Sequence, residues 1–470
     1  MLTSERSTLT FTHRFRRASY CLGMGALFSL LGQPSSFAFN PRYHLGGETD
    51  FSRQEVTPAV FPFVRFGIEA ESSETEYEDE YEYKIDAEFK ISPNHPKAYA
   101  LSSQNLYYGE RDQSYESPLR FSYGRRLVGW SGLDEMWGLG AFEPNDSWDR
   151  LRSTSQGLTG IFGYTETQKF NFRFFLSYLF LPELTPNTVI ENNRFSYEHP
   201  QATSSGPQTI NLGNRLVPLG YQLEIPSLTK IIFRPSFAFM METKREIPFH
   251  AKFAYGYLPL NYFPIALDAT LYSTQAIVTL HPRLLQHHVY NGELAYRFSN
   301  SISSGFTALV DQPVSEPLAT NYSYTPLTSS YSWSPWIQYT LPSFKIILTH
   351  LWTVGGLDAD VGRDADPTGQ TSLFSSRLLY RNATQLSLQN EFGREDPHHP
   401  TLKIKLVREH SIKANWVASD FFYSWTPNFN TFIGGDLIYA EKTVASDRGA
   451  EFLSDMRTID RIRVGATYVF

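Results

Sequence analysis

The sequence predicts an all-β chain: a transmembrane antiparallel β-barrel of roughly 18 strands, with roughly 16 to 20 as the range its segments allow. Three observations carry this. Apolar and polar residues alternate with period two over almost the whole chain beyond its N-terminal region. The alternating segments run to about 10 to 13 residues, longer than the five or six usual in soluble sheets and right for a tilted membrane crossing. Aromatic residues make up 15% of the 470, with 36 Phe, 28 Tyr and 8 Trp, a composition that favours strands and is too rich in buriable surface for a disordered chain.

The alternation is read residue by residue. Tyr81, Tyr83, Ile85, Ala87, Phe89 and Ile91 share one face, while Glu82, Lys84, Asp86, Glu88 and Lys90 share the other. Phe170, Phe172, Phe174, Leu176, Tyr178 and Phe180 stand opposite Asn171, Arg173 and Ser177. Comparable patterns recur at Leu219–Ile225, Phe249–Tyr257, Tyr290–Phe298 and Leu386–Phe392. Soluble sandwiches also alternate, but these polar faces carry charges of both signs, as a water-filled lumen would, and aromatics gather near segment ends, as interfacial girdles do.

Strands are expected to begin near Phe61, Tyr81, Ala98, Leu119, Gly157, Phe170, Pro218, Thr229, Phe249, Ile265, Val289, Ser301, Tyr331, Phe344, Leu373, Gln385, Leu402, Ile412, Thr431 and Ile459. Ser299-Asn300, Leu341-Pro342-Ser343 and Thr426-Pro427-Asn428 read as tight turns. Segments near 130–155, 182–217, 312–330, 354–371 and 442–457 read as long extracellular connections. These starts do not keep every long connection on one side, so at least one strand is missed, split or false.

At the C-terminus, Ile462, Val464, Ala466, Tyr468 and Phe470 lie on one face, with Arg461, Arg463, Gly465 and Thr467 on the other. Here the sequence resembles the Gram-negative outer-membrane β-barrel proteins, whose final strand ends in an aromatic residue after alternating apolar ones. The resemblance implies that Ile462, Val464, Ala466, Tyr468 and Phe470 form the signal read by the barrel-assembly machinery. It also implies an integral outer-membrane location, with outer-membrane lipid and lipopolysaccharide as surroundings.

Arg14, Arg16 and Arg17 precede an apolar stretch from Tyr20 to Leu31, and Ser36-Phe37-Ala38 offers small residues for cleavage before Phe39. Residues 1–38 therefore read as a secretory signal peptide. Gly23, Gly25 and Gly32 interrupt the stretch and oppose a retained anchor. Residues 39–60 read as a short periplasmic segment and 61–470 as the barrel. The only cysteine, Cys21, falls within the signal, so the exported chain has no disulfide and no thiol chemistry. Mean hydropathy is below zero, and no apolar run of about 18 residues occurs beyond the signal, which excludes a helical membrane protein. A net charge of −7 provides no basic footprint for nucleic acid.

Inward charges nominate the sites. Lys84, Asp86, Glu88, Arg120, Arg126 and Arg173 are expected on the lumen wall, with Arg234, Lys252 and Arg297 as further cations. The segment from Gly129 to Leu151 carries Trp130, Asp134, Glu135, Trp137, Glu143, Asp146, Trp148 and Asp149 just after Gly124-Arg125-Arg126. It is similar in composition and placement to a porin constriction loop, whose acids facing a basic wall would filter solutes. Asp134 and Glu135 are the nominated loop acids. An ordinary extracellular loop would show the same composition. The acidic run Glu71, Glu74, Glu76, Glu78, Asp79, Glu80 and Glu82 matches no calcium-loop spacing and reads as a solvated turn.

The function expected is a porin-like channel, not an enzyme, passing small hydrophilic solutes passively and needing no cofactor or metal. Whether it is a monomer or a homo-oligomer is open. Rival readings are a plugged structural or adhesive barrel, an outer-membrane hydrolase and a soluble secreted sandwich. His287-His288 and Asp396, His398 and His399 supply imidazoles for hydrolysis, but they read as turn residues, and no Gly-x-Ser-x-Gly or His-Glu-x-x-His motif occurs.

Overall fold

The structure is a computed structural model that describes residues 41–470 apart from 53–59, 73–80, 112–117, 184, 186–187, 198, 200–207, 213–214, 245–247, 315–321, 323–326, 358–378, 394–397, 399, 441–451 and 457–458. The expected signal peptide lies outside the described residues, as does most of the acidic run between Glu71 and Glu82.

Eighteen strands form one antiparallel sheet. They are β1 (Arg42–Ser52), β2 (Val60–Glu71), β3 (Tyr81–Ile91), β4 (Tyr99–Glu110), β5 (Leu119–Arg126) and β6 (Leu158–Glu166). Next come β7 (Phe170–Leu179), β8 (Phe233–Thr243), β9 (Phe249–Pro259), β10 (Gln286–Arg297), β11 (Ile302–Pro313) and β12 (Leu327–Leu341). The last six are β13 (Phe344–Leu357), β14 (Asn382–Glu391), β15 (Thr401–Glu409), β16 (Ala414–Thr426), β17 (Phe429–Tyr439) and β18 (Arg461–Val469). Each pairs with its neighbours in sequence, and β1 pairs with both β2 and β18, in registers that include His44↔Val469 and Ser52↔Arg461. The sheet therefore closes on itself and has no free edge, the condition for strands in hydrocarbon. At the seam Tyr43 and Phe470 exchange backbone bonds of 2.9 and 2.8 Å, and their rings stack at 6.3 Å.

Alternation sorts the two faces as the sequence predicts. Tyr123, Leu176, Tyr178, Leu437 and Ile462 point outward and are more than half exposed, while Arg120, Ser122, Asp436 and Arg461 on the same strands are buried inside. Exposed apolar residues recur around the whole circumference. Soluble monomers rarely expose contiguous apolar patches beyond about a few hundred Å². This exterior is that of a barrel integral to the outer membrane, and it removes the soluble-sandwich reading.

Following the antiparallel order, the start of β1, the C-terminus and the connections 167–169, 298–301, 342–343 and 427–428 lie at one end. The long connections 127–157, 180–232, 260–285, 358–381 and 440–460 leave and rejoin the sheet at the other. Short turns are periplasmic and long loops extracellular in such barrels.

Four expectations are corrected. Residues 39–60, expected to be a periplasmic segment, contain β1, which closes the barrel. Its Gly46-Gly47 pair and inward Glu48 and Asp50 leave little apolar alternation to read. The segments near Pro218 and Ile265 are strands, but of a four-stranded loop sheet in which Leu219–Leu223 runs parallel to Ala276–Leu280. Near Thr229 a short helix, Leu228–Ile232, precedes β8. The start near Leu373 lies outside the described residues.

Candidate functional site

The inner wall from β1 to β6 carries most of its charge in ion pairs, beside a small apolar cluster of Phe61, Phe63 and Ala100 against Trp148. Lys84 Nζ lies 3.2 Å from Glu71 Oε2, Lys90 Nζ 3.5 Å from Glu88 Oε1, Arg126 Nη2 3.1 Å from Glu82 Oε1, and Arg120 Nη2 3.2 Å from Glu166 Oε1. Asp86 shares this face with Lys84 and Glu88. The Tyr164 ring lies under both Arg120 and Arg173, and Tyr107 lies under Arg126. The structure thus places Lys84, Asp86, Glu88, Arg120, Arg126 and Arg173 on the inner face, as alternation predicts. Several stay wet inside the closed wall: the side chains of Lys84 and Glu71 are 38% and 67% exposed.

From β6 to β17 the inner wall carries a buried apolar cluster of Phe162, Phe175, Met240, Val289, Leu309, Leu351, Val407 and Trp416, set among polar and charged side chains such as Lys252, Glu293, Asn291, Asp420 and Asp436. The connection 127–157 folds inward and packs on this cluster. Ser131 caps a short helix, α1 (Gly132–Trp137), by accepting from Asp134 N–H, and Gly138 ends it at φ 65°, a left-handed position that suits glycine. Trp130, Leu133, Trp137 and Phe142 are fully or almost fully buried against the wall. Trp137 Nε1 donates to Ser334 Oγ on β12 at 3.2 Å, and Ser131 Oγ donates to Asn291 Oδ1 on β10 at 2.9 Å.

The loop also binds charged wall residues on either side of this cluster. Asp146 Oδ2 accepts from Lys90 Nζ on β3 at 3.2 Å, and Asp149 Oδ2 accepts from Arg461 Nη2 on β18 at 2.6 Å. Arg152 pairs with Asp420 on β16 and donates to Asp436 Oδ1 on β17 at 3.0 Å. Arg461 also reaches Asp436 through Nε at 2.8 Å and Asp50 through Nη1 at 2.9 Å, while Arg463 Nη1 donates to Glu48 Oε1 at 3.0 Å. A guanidinium whose three nitrogens each meet a different carboxylate is held in one orientation.

The two nominated loop acids part company. Glu135 is exposed, whereas Asp134 is buried: its oxygens accept from the N–H groups of Ala141 and Phe142 at 3.1 and 2.8 Å. Asp134 therefore braces the turn after α1 rather than facing the pore. Burial pushes its carboxyl up to about 7. Glu143 braces the loop's root by accepting from Val128 and Gly129 N–H, and burial pushes it up to about 8. The acids that do face cations are Asp146 and Asp149. They were in the composition of the loop, but nothing local to it names Lys90 and Arg461 as their partners.

His287 and His288, expected in a turn, lie on β10. His287 is buried inside with Nδ1 2.7 Å from Asp311 Oδ1, and His288 points outward to the Tyr255 hydroxyl at 2.9 Å. His398 is exposed in the connection 392–400, while Asp396 and His399 lie outside the described residues. Ile462, Val464, Tyr468 and Phe470, which the resemblance nominates as an assembly signal, are exposed on the outer face, with Ala466 between them.

No protein-family model and no curated protein matches the chain. Solved structures similar to it include Acinetobacter baumannii OccAB1, at 11% identity and a TM-score of 0.48 over 92% of this chain and 96% of that one. A BenF-like porin from Pseudomonas fluorescens Pf-5 stands at 9% and 0.48 over 92% and 98%, and Acinetobacter baumannii OccAB3 at 7% and 0.47 over 92% and 99%. The architecture rests on the closed ladder and its two faces: an 18-stranded outer-membrane barrel with the 127–157 loop folded into its lumen.

Proposed function

We propose that the protein is a passive diffusion channel for small hydrophilic solutes, in which the 127–157 loop packs on the apolar cluster of the wall and confines the aqueous path to the side lined by Lys84, Glu88, Arg120 and Arg126. The observation that carries this reading is the partial exposure of Lys84, Glu71, Glu82, Glu88 and Glu166 on the inner face of a closed barrel. Charges on a wall with no water behind it would face a desolvation cost of several kcal/mol or about that each. An 18-stranded barrel is wide enough to keep such water. In this reading Arg120, Arg126, Arg173, Lys84, Asp86, Glu88 and Glu135 tune ion preference, and Asp134 acts only by holding the loop.

Single-channel recording on the refolded chain from Phe39 onward tests it. Stable ohmic steps, with a reversal potential under a salt gradient, are expected, and solute competition would then identify the cargo. Folded, heat-modifiable protein with no conductance would overturn it. One observation favours a second reading, a barrel closed at rest: the loop is tied to β3, β10, β12 and β16–β18, so it touches walls on facing sides of the lumen. Conductance seen only after the loop is shortened would favour that reading.

A further inference from the structure

The outer face of β13–β16 departs from the apolar rule at its extracellular end. One outward row reads Leu348, Leu386, Leu406, Val417 and Leu437, each paired with the next across the ladder and each exposed. The next outward row toward the extracellular end reads His350, Thr384, Arg408 and Asn415. The 410–413 turn that joins β15 to β16 adds His410 and Lys413, both exposed. At the corresponding ends of β1, β2, β12 and β17 the outward residues are Phe51, Val60, Tyr331 and Tyr439.

Hydrogen bonds hold the polar row together. Thr384 Oγ1 lies 2.8 Å from His350 Nδ1 and 2.9 Å from His410 Nε2, and the two imidazoles are 5.7 Å apart. Arg408 Nη1 donates to the neutral Asn415 Oδ1 at 2.8 Å. The neighbouring acid, Glu409, is turned inward and fully buried, where it accepts from Arg381, Asn382 and Ser411 N–H. Lys413 stands at φ 50° in the turn, which turns the chain sharply at the barrel rim.

We propose that this cluster binds the phosphate of an outer-leaflet lipid, with Arg408, His410 and Lys413 meeting the headgroup while the acyl chains lie on the Leu348, Leu386, Leu406 and Val417 row. A guanidinium and an ammonium exposed at the same rim suit a phosphate better than a neutral polar headgroup. Their position one step beyond a hydrocarbon-facing row requires the anion to carry apolar chains. A lipid is thus the occupant that satisfies both rows, and free phosphate satisfies only one.

Native mass spectrometry of the detergent-solubilised chain tests this with diphosphoryl lipid A, the same lipid freed of its phosphates, and inorganic phosphate as a competitor. Diphosphoryl lipid A should be retained, and the phosphate-free form bound about tenfold more weakly. Inorganic phosphate at equal concentration should not displace the lipid. The Arg408→Gln/Lys413→Asn variant, which keeps a side-chain amide near Asn415 and a residue tolerant of positive φ, should lose about tenfold in retention. His410→Gln is a milder second variant with the same expected direction, and Lys345→Gln at the opposite end of β13 should bind as the parent does. Equal retention of the phosphate-free lipid, or undiminished retention by the heat-modifiable Arg408→Gln/Lys413→Asn protein, would overturn the proposal. Displacement by inorganic phosphate would overturn the lipid as the source of the anion.

Discussion

Asp149, in the loop that folds into the lumen, accepts a 2.6 Å bond from Arg461 on the strand that closes the barrel. The same guanidinium binds Asp50 on the first strand and Asp436 on the seventeenth. Loop position and barrel closure therefore share one cation, and a change at either residue is felt by both.

Replacing Arg461 with Met leaves Asp50, Asp149 and Asp436 facing one another inside the wall. Breaking a buried pair from one side typically costs about 3–5 kcal/mol, so unfolding in denaturant should shift by an amount of that order. Asp149→Asn removes only the loop's share and should chiefly raise open-channel current and its noise. Identical unfolding curves for Arg461→Met and the parent would show that the network adds nothing.

Trp137 anchors the other end of the loop, buried against the apolar wall and bonded to Ser334. Trp137→Ala should cost about 3–5 kcal/mol and widen the path, seen as larger single-channel steps. An unchanged step size would mean that the loop's packing on the apolar cluster does not bound the pore.

The loop's bracing carboxyls make its docking depend on pH. Asp134 and Glu143 are pushed up to about 7 and about 8 by burial, so the docked loop holds protons that the released loop gives up. Their contribution is fully present below the ordinary carboxylate range and is lost as pH rises through about 7 and 8. Acrylamide quenching of tryptophan should therefore increase between about pH 5 and about pH 9, and Glu143→Gln should flatten the change. Quenching that falls over this range would contradict the sign.

Charge reversal separates wall from brace. Arg126→Glu, on the wet wall, should move the reversal potential toward cation preference, and Glu135→Lys toward anion preference. Asp134→Asn should leave ion preference nearly unchanged. A larger shift for Asp134→Asn than for Arg126→Glu would reverse the assignment.

Phe470 offers a test of the assembly signal that its resemblance implies. Its backbone bonds to Tyr43 survive substitution, so Phe470→Ala removes only the ring. If the ring is read during assembly, the heat-modifiable fraction in cells should fall for Phe470→Ala and hold for Tyr43→Ala. Equal losses would assign the effect to the Tyr43–Phe470 stack.

Period-two alternation by itself determined the barrel, the outward Ile462, Val464, Tyr468 and Phe470, and the inward Lys84, Arg120 and Arg126. It could do so because one strand's two faces meet lipid and water whatever its neighbours are. Only the tertiary structure decided that Arg42–Ser52 closes the sheet, since glycines and inward acids hide its period and its partner β18 lies at the far end of the chain. It also decided that Asp134 braces the loop while Asp146 and Asp149 reach Lys90 and Arg461. Those pairings join residues far apart in sequence, and a carboxylate's partner is set by where the folded loop carries it, which no local pattern encodes.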